Sequence, residues 1–143
     1  MGGADDDWDN GVVIDPSGYC VIAGGTYSYS SGQDDAWVVK VNLSNGNVVL
    51  SATFGGPTYD QAYDIAYDPA GYYVITGETY PYGTLTSQLI IVKIDPSNGS
   101  AIWVKEYGNN YDDRGYAIEV TSNGNYMVGG FTQTVFTITI TGF

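Results

Sequence analysis

The chain has no histidine, one cysteine, and only four lysines and arginines together. Each scarcity excludes something. Without an imidazole nothing stands ready to activate a serine or cysteine, and no acid pair lies outside the repeat described below. An enzyme is therefore the least supported class, and no catalytic residue is assigned. One cysteine excludes an intrachain disulfide. Cys20 sits in the apolar run Tyr19-Cys20-Val21-Ile22-Ala23 and is expected to be a buried, inert thiol. Four cations against sixteen acids leave a net charge of −12. No basic groove can be built from so few, so nucleic acids and anionic membranes are not expected as partners. The acidity suits solubility, with a cation-binding surface as the sharper alternative. No segment approaches the roughly 18 apolar residues of a membrane span, and no membrane insertion is expected. Met1-Gly2-Gly3-Ala4 runs into three aspartates without a signal-peptide pattern. Either the protein stays inside the cell or the sequence starts at a processed end. Few charges and much Tyr, Thr, Ser, Asn and Gly favour an extracellular or cell-surface location.

What the chain does have is a period. Thr26, Thr79 and Thr132 are spaced by 53 residues, as are Gly18, Gly71 and Gly124, and Asp7, Asp60 and Asp113. Lys40 pairs with Lys93, Gly46 with Gly99, and Gly55 with Gly108. A fixed period of this size marks stacked supersecondary units. Hydrophobic residues at 43% are enough for a core, and charged residues at 14% do not describe a disordered acidic tail.

Each unit reads as short β-runs separated by Gly, Pro, Asn, Asp and Ser. Strands are predicted at 11–14, 19–27, 36–42 and 48–54, then at 62–67, 72–80, 88–95 and 101–107, and finally at 116–120 and 125–132. A last run, Thr134 to Thr141, alternates apolar residues with threonine and takes the place of a third strand. Leu89-Ile90-Ile91-Val92 is apolar without alternation, as a strand covered on both faces requires. Four antiparallel strands per repeat of this length is the grammar of a β-propeller blade. A β-solenoid competes less well, because its turns recur faster. The expected fold is all-β, with propeller-type blades of four antiparallel strands. The 143 residues hold about 2.7 periods of 53. They form a single incomplete domain with blade 1 at about 7–56, blade 2 at about 60–109 and a partial blade 3 at about 113–143.

Asp95-Pro96-Ser97-Asn98-Gly99-Ser100-Ala101-Ile102-Trp103 has the spacing D-x-x-x-G-x-x-x-W. It resembles the tryptophan-docking motif of quinoprotein-like propellers, in which the Trp stacks between neighbouring blades. The first unit keeps Gly46 but carries Asn42 for the Asp and Leu50 for the Trp. The wider pattern Gly-Tyr-x-Val-x-x-Gly-x-Thr, then Val-x-Lys-x-Asp/Asn, then Tyr/Phe-Gly, is similar to the propeller repeats of secreted bacterial and archaeal proteins. The resemblance implies architecture and little about activity. Such propellers are closed rings of several blades, and this chain holds fewer than three. Nothing in it maps onto the cofactor pocket of the quinone-dependent enzymes, so no cofactor-binding residue is carried over and no cofactor is expected.

Other motifs weigh toward structure. Asp5, Asp7 and Asp9 alternate as in calcium loops, but the glycine is displaced and no acid closes the loop at its twelfth position. Because Asp7 repeats as Asp60 and Asp113, an aspartate bonding backbone N–H groups is favoured over calcium, and no metal ligand is assigned. Asp112-Asp113-Arg114 is expected to be a solvated turn. Lys40 and Lys93 are expected at a strand edge or snorkelling. Gly24-Gly25 and Gly129-Gly130 lack the strand-to-helix step of a phosphate loop and are expected to mark bulges or close inter-blade approach. Asn42-Leu43-Ser44 and Asn98-Gly99-Ser100 fit the N-glycosylation pattern, and Asn98-Gly99 also reads as a turn. Tyr27, Tyr29, Tyr80 and Tyr82 are expected to pack within and between blades, with a carbohydrate- or protein-binding face as the alternative.

The unfinished third unit directs the functional expectation. A non-catalytic structural protein would self-assemble, one copy completing the open blade of the next, into a ring or filament. The alternative is a piece of a larger secreted propeller acting as a protein- or glycan-binding module. The expected partners are further copies or other blades, with a glycan or protein as possible ligand.

Overall fold

The computed structural model describes residues 2–30 and 32–133, and the backbone of residues 138–140. All of its elements are strands: β1 (Asp7–Ile14), β2 (Tyr19–Thr26), β3 (Asp35–Asn42), β4 (Val48–Phe54), β5 (Asp60–Asp68), β6 (Tyr72–Thr79), β7 (Gln88–Ile94), β8 (Ala101–Tyr107), β9 (Asp113–Val120), β10 (Tyr126–Thr132) and β11 (Ile138–Ile140). They form three antiparallel meanders, in the orders β1-β2-β3-β4, β5-β6-β7-β8 and β9-β10-β11. The expected all-β architecture with blades of four antiparallel strands is thus present. In the last predicted strand, residues 134–137 and 141 lie outside the described residues; β11 pairs with β10 through Tyr126↔Ile140 and Val128↔Ile138.

Tight turns join neighbouring strands at one end of each sheet. At Asp68–Gly71 the Gly71 N–H donates to the Asp68 carbonyl, and Gly71 takes φ +99°, which side chains rarely tolerate. The longer connections, around 27–34, 55–59, 80–87 and 108–112, gather at the opposite end.

The innermost strands start earlier than the pattern suggests: β1 at Asp7 rather than Gly11, β5 at Asp60 rather than Ala62, and β9 at Asp113 rather than Tyr116. The cause is a β-bulge in each. Asn10, Tyr63 and Tyr116 are the extra residues, each one period from the next. A bulge breaks the two-residue alternation that reveals a strand in sequence. Opposite each bulge stands a glycine. A Cβ on Gly24, Gly77 or Gly130 would lie 1.9, 1.8 or 1.9 Å from the carbonyl oxygen of Trp8, Gln61 or Arg114. Gly24 and Gly130 therefore mark bulges, as expected, but the close approach is within a sheet rather than between blades; Gly25 lies against the Trp8 ring, and a Cβ on Gly129 would meet nothing within 4 Å.

The sheets stack in series. Val21, Ala23, Ala36 and Val38 of the first meet Ile65, Tyr73, Ile75 and Val92 of the second. The second sheet's other face, with Val74, Leu89 and Ile91, meets Ile118, Tyr126 and Val128 of the third. Its β7 is covered on both sides, which explains the unbroken apolar run there. β1, β5 and β9 stand beside one another. The outer strands β4 and β8 alternate exposed and half-buried residues.

Candidate functional site

Two polar assemblies lie between the units, one at each end of the strands. At the turn end, each interface is closed by a latch built from the repeat. Asp15 sits just after β1 and is buried. Its Oδ1 accepts from the N–H groups of Ser17 and Tyr19, at 2.8 and 3.1 Å, and so shapes its own turn. Its Oδ2 accepts from the hydroxyl of Tyr73 in the next unit and lies 3.9 Å from the Lys40 amine. One period later Asp68 caps its turn at Ala70, accepts from the Tyr126 hydroxyl and lies 3.4 Å from Lys93. Burial pushes both carboxyls up. The tyrosine hydroxyls, the turn N–H groups and the lysines outweigh it and hold both below the ordinary carboxylate range. Burial and then the facing aspartate push the Tyr73 and Tyr126 phenols up.

Lys40 and Lys93 are therefore neither edge nor snorkelling residues, contrary to expectation. They occupy interior strands of their sheets. The Lys40 amine lies over the rings of Tyr19 and Tyr73, at 4.3 and 5.3 Å, and donates to the Pro96 carbonyl at 3.3 Å. Lys93 repeats the ring contacts with Tyr72 and Tyr126. Trp103 reaches across to Tyr126 of the third unit, with ring centroids 6.0 Å apart. In the first unit Leu50 takes its place and lies against Gly99 of the second.

The first and third units each lack one half of the latch. Cys20 occupies the register of Tyr73 and Tyr126, and Thr121 that of Asp15 and Asp68. Thr121 Oγ1 accepts from the Asn125 N–H at 3.0 Å, the same turn bond that Asp15 makes to Tyr19. With one oxygen instead of two, the residue keeps the turn and loses the bond to a neighbour. Cys20 is half-buried on the outer face of the first sheet rather than fully buried.

At the loop end, Asp7, Asp60 and Asp113 are structural, as favoured above. Their carboxylates accept from the N–H groups of Gly3, Gly56 and Asn109 at 2.7, 2.9 and 3.0 Å, residues that are themselves one period apart. Asp7 also accepts from Thr26 and Ser28, so both its oxygens are engaged. Among the described residues, no group of three or more His, Cys, Asp and Glu is placed to hold a metal ion. Asn42 and Asn98 each accept from a backbone N–H two residues on, in the turns after β3 and β7.

Nearby, Arg114 does not form the solvated turn expected of it. Its Nε pairs at 2.8 Å with Glu78 of the second unit, while Asp112 stands 3.8 Å from its Nη2. Glu78 is only 3% exposed, and its other oxygen accepts from the Tyr63 hydroxyl. The Tyr116 hydroxyl first, with Glu78 and the Tyr80 hydroxyl, holds the guanidinium above its ordinary value against the cost of burial. Arg114, Glu78 and Tyr63 border an open cleft of about 600 Å³, completed by Gln33 of the first unit, Thr58, Tyr59, Tyr80 and Thr84. Tyr59 and Tyr80 meet edge to face at 5.8 Å and 86°. Burial, with the charges of Asp34 and Glu78, pushes the Tyr59 phenol up to about 12.

The loop tyrosines thus divide. Tyr80 borders the cleft, Tyr27 packs edge-on against Trp8 and Tyr29 tilts over Trp37. Tyr82 is 85% exposed. Sequence reasoning missed Glu78, Tyr59, Tyr63 and Gln33. The available signal was divergence between the units at one register: Trp8, Gln61 and Arg114 on the first strands face Gly25, Glu78 and Phe131 on the second. No family model matches the chain, and none of the curated proteins compared with it matches either.

Proposed function

We propose that the protein is a non-catalytic structural module whose outer sheets dock onto further units of the same kind, supplied by other copies of the chain. One comparison carries this. Val12, Ile65 and Ile118 hold the same register in successive units, yet Val12 is 63% exposed while Ile65 and Ile118 are 4% and 3% exposed. The face that buries each later unit against its predecessor lies open on the first. Ile14 beside Val12 is 65% exposed. On the far side of the third sheet, Met127 holds the register of Val21 and Val74, and it is 44% exposed. The two open flanks are the two halves of one repeated interface. Joining them is head-to-tail and gives a ring or a filament according to the rotation per copy.

The latch registers agree with such a joint. Thr121 of one copy would face Cys20 of the next, so no carboxylate or phenol would be buried without its partner. Covering on the order of 1,000 Å² of apolar flank contributes roughly 25 kcal/mol before the cost of association. Further blades on a longer chain would cover the flanks in the same way. Native mass of the isolated chain separates the two. The chain should show concentration-dependent mass above the monomer in light scattering at about 10–100 µM, and Val12→Glu/Ile14→Glu should return it to monomer with its circular dichroism unchanged. A wild-type chain that stays monomeric and folded throughout that range would refute self-assembly.

A further inference from the structure

The cleft at the loop end is separate from both flanks and has a chemistry of its own. Its lining comes from three successive units: Gln33 from the first, Tyr59, Tyr63, Glu78 and Tyr80 from the second, and Arg114 from the third. Connections on a rigid sheet scaffold are where binding residues concentrate. The volume of about 600 Å³ lies within the usual span of ligand clefts. We infer that this cleft binds a neutral carbohydrate, with Tyr59 and Tyr80 as its stacking corner and the Arg114 guanidinium, Gln33 and Thr84 as its hydroxyl-reading groups.

Three observations lead there. The perpendicular Tyr59 and Tyr80 rings form a floor and a wall. The axial C–H face of a pyranose packs on such a ring, which supplies rigid contact area at small entropic cost. The polar groups are already oriented. Glu78, itself buried, holds Arg114 at 2.8 Å and accepts from the Tyr63 hydroxyl, so the part-exposed guanidinium is fixed at the cleft wall as an ordered donor for a sugar hydroxyl. Charge selects against anions: Arg114 is matched by Glu78, and Asp34 and Asp112 add negative charge beside the cleft. A phosphate, sulfate or uronate would find no unmatched cation.

The repeat provides an internal comparison. At the equivalent place in the first unit, the Trp8 ring fills the space over Gly25, where a Cβ would come within 2.6 Å of the indole. The second unit puts Gln61 and Glu78 at those two positions, and the third meets it with Arg114. Core positions such as Ile65 and Ile118 stay apolar across the same interval.

The test is titration calorimetry of the full chain with cellohexaose, xylohexaose, maltohexaose and chitohexaose, with polygalacturonate oligomers for comparison. At least one neutral oligomer should bind with Kd from about 10 µM to a few mM. Tyr80→Ala and the exposed-site variant Gln33→Ala should each weaken it, Tyr80→Ala by about tenfold or more. Tyr82→Ala, outside the cleft, should leave binding unchanged. Gln33→Ala keeps the test decisive should Tyr80→Ala fail to fold. No binding by any neutral oligomer at about 10 mM, equal or tighter binding of the uronate, or binding indifferent to both cleft variants would overturn the proposal. Native mass does not enter this readout, so it stands or falls apart from self-assembly.

Discussion

The latch assigns different work to the two oxygens of one carboxylate, and a double-mutant cycle tests that assignment. Tyr73→Phe removes the hydroxyl that Asp15 Oδ2 accepts from the next unit and leaves the ring in place. A hydrogen bond to a buried charged acceptor contributes about 2 kcal/mol, and Asp15 is 7% exposed, so screening takes little from it. At roughly 3 °C per kcal/mol for a chain of this size, the melting temperature should fall by about 6 °C. Asp15→Thr copies Thr121: the turn bond to Tyr19 is retained, but the Tyr73 hydroxyl loses its acceptor and the Lys40 amine its ion-pair partner, keeping only the Pro96 carbonyl and its ring contacts. Lys40 has a side chain only 12% exposed, so this single variant should cost more, about 3–4 kcal/mol. The double variant should cost little beyond Asp15→Thr alone, a coupling of about 2 kcal/mol. Thr121→Asp, facing no tyrosine in the isolated chain, should change stability by less than about 0.5 kcal/mol. Urea unfolding at neutral pH, followed by tryptophan fluorescence, measures all four. Costs that add within about 0.5 kcal/mol would show that the tyrosine and the aspartate do not act together, and the latch would be wrong.

Gly77→Ala should cost about 4 kcal/mol or prevent folding, because its Cβ would fall 1.8 Å from the Gln61 carbonyl oxygen; Gly71→Ala, at φ +99° in open space, should cost about 1–2 kcal/mol in the same denaturation assay. Stability should rise as pH falls through the raised carboxyls of Asp34 and Asp60 toward about 4, the unfolded value, and drop below it in a pH series of melts. Asp34 and Asp60 govern the upper limb: burial first, and then Asp35, raises both carboxyls, so each favours the folded state when protonated and that contribution is lost as pH rises through its raised folded pKa. Asp15 and Asp68 govern the lower limb: their lowered carboxyls favour the folded state when ionised, and that contribution is lost as pH falls through the lowered value. Asp60→Asn should flatten the upper limb and leave the lower one; a monotonic profile would refute the assignment. Trp103→Ala removes a half-buried ring that reaches Tyr126 and should cost about 2 kcal/mol by chemical denaturation.

The repeat and its strands were legible because alternation and turn chemistry are local. Asp68-Pro69-Ala70-Gly71 announces a turn, and Leu89 to Val92 announces a strand covered on both sides, without any knowledge of neighbours. The starts of β1, β5 and β9 were hidden because a bulge shifts the phase of alternation just where a reader would extend the strand. The paired glycines hinted at those bulges, but their partners lie on another strand. The latch was half visible: Lys40 and Lys93 recur at one register, yet their role depends on Asp15 and on Tyr73, which is 58 residues from Asp15. Arg114 was misjudged for a related reason. Asp112 is close in sequence, whereas Glu78 reaches it from the neighbouring unit. The cleft was the least legible part, since it is assembled from three units and shows in sequence only where the periodicity fails.

The latch also constrains how such a chain can change length. Each carboxylate reaches forward by a constant stride to the hydroxyl behind the next turn, so a whole duplicated segment arrives with both halves of the bond already in step. A fragment of any other length leaves one half facing the wrong strand. Lineages of this architecture would then grow and shrink in whole modules, and a single aspartate-to-threonine exchange would be enough to leave one joint unlatched.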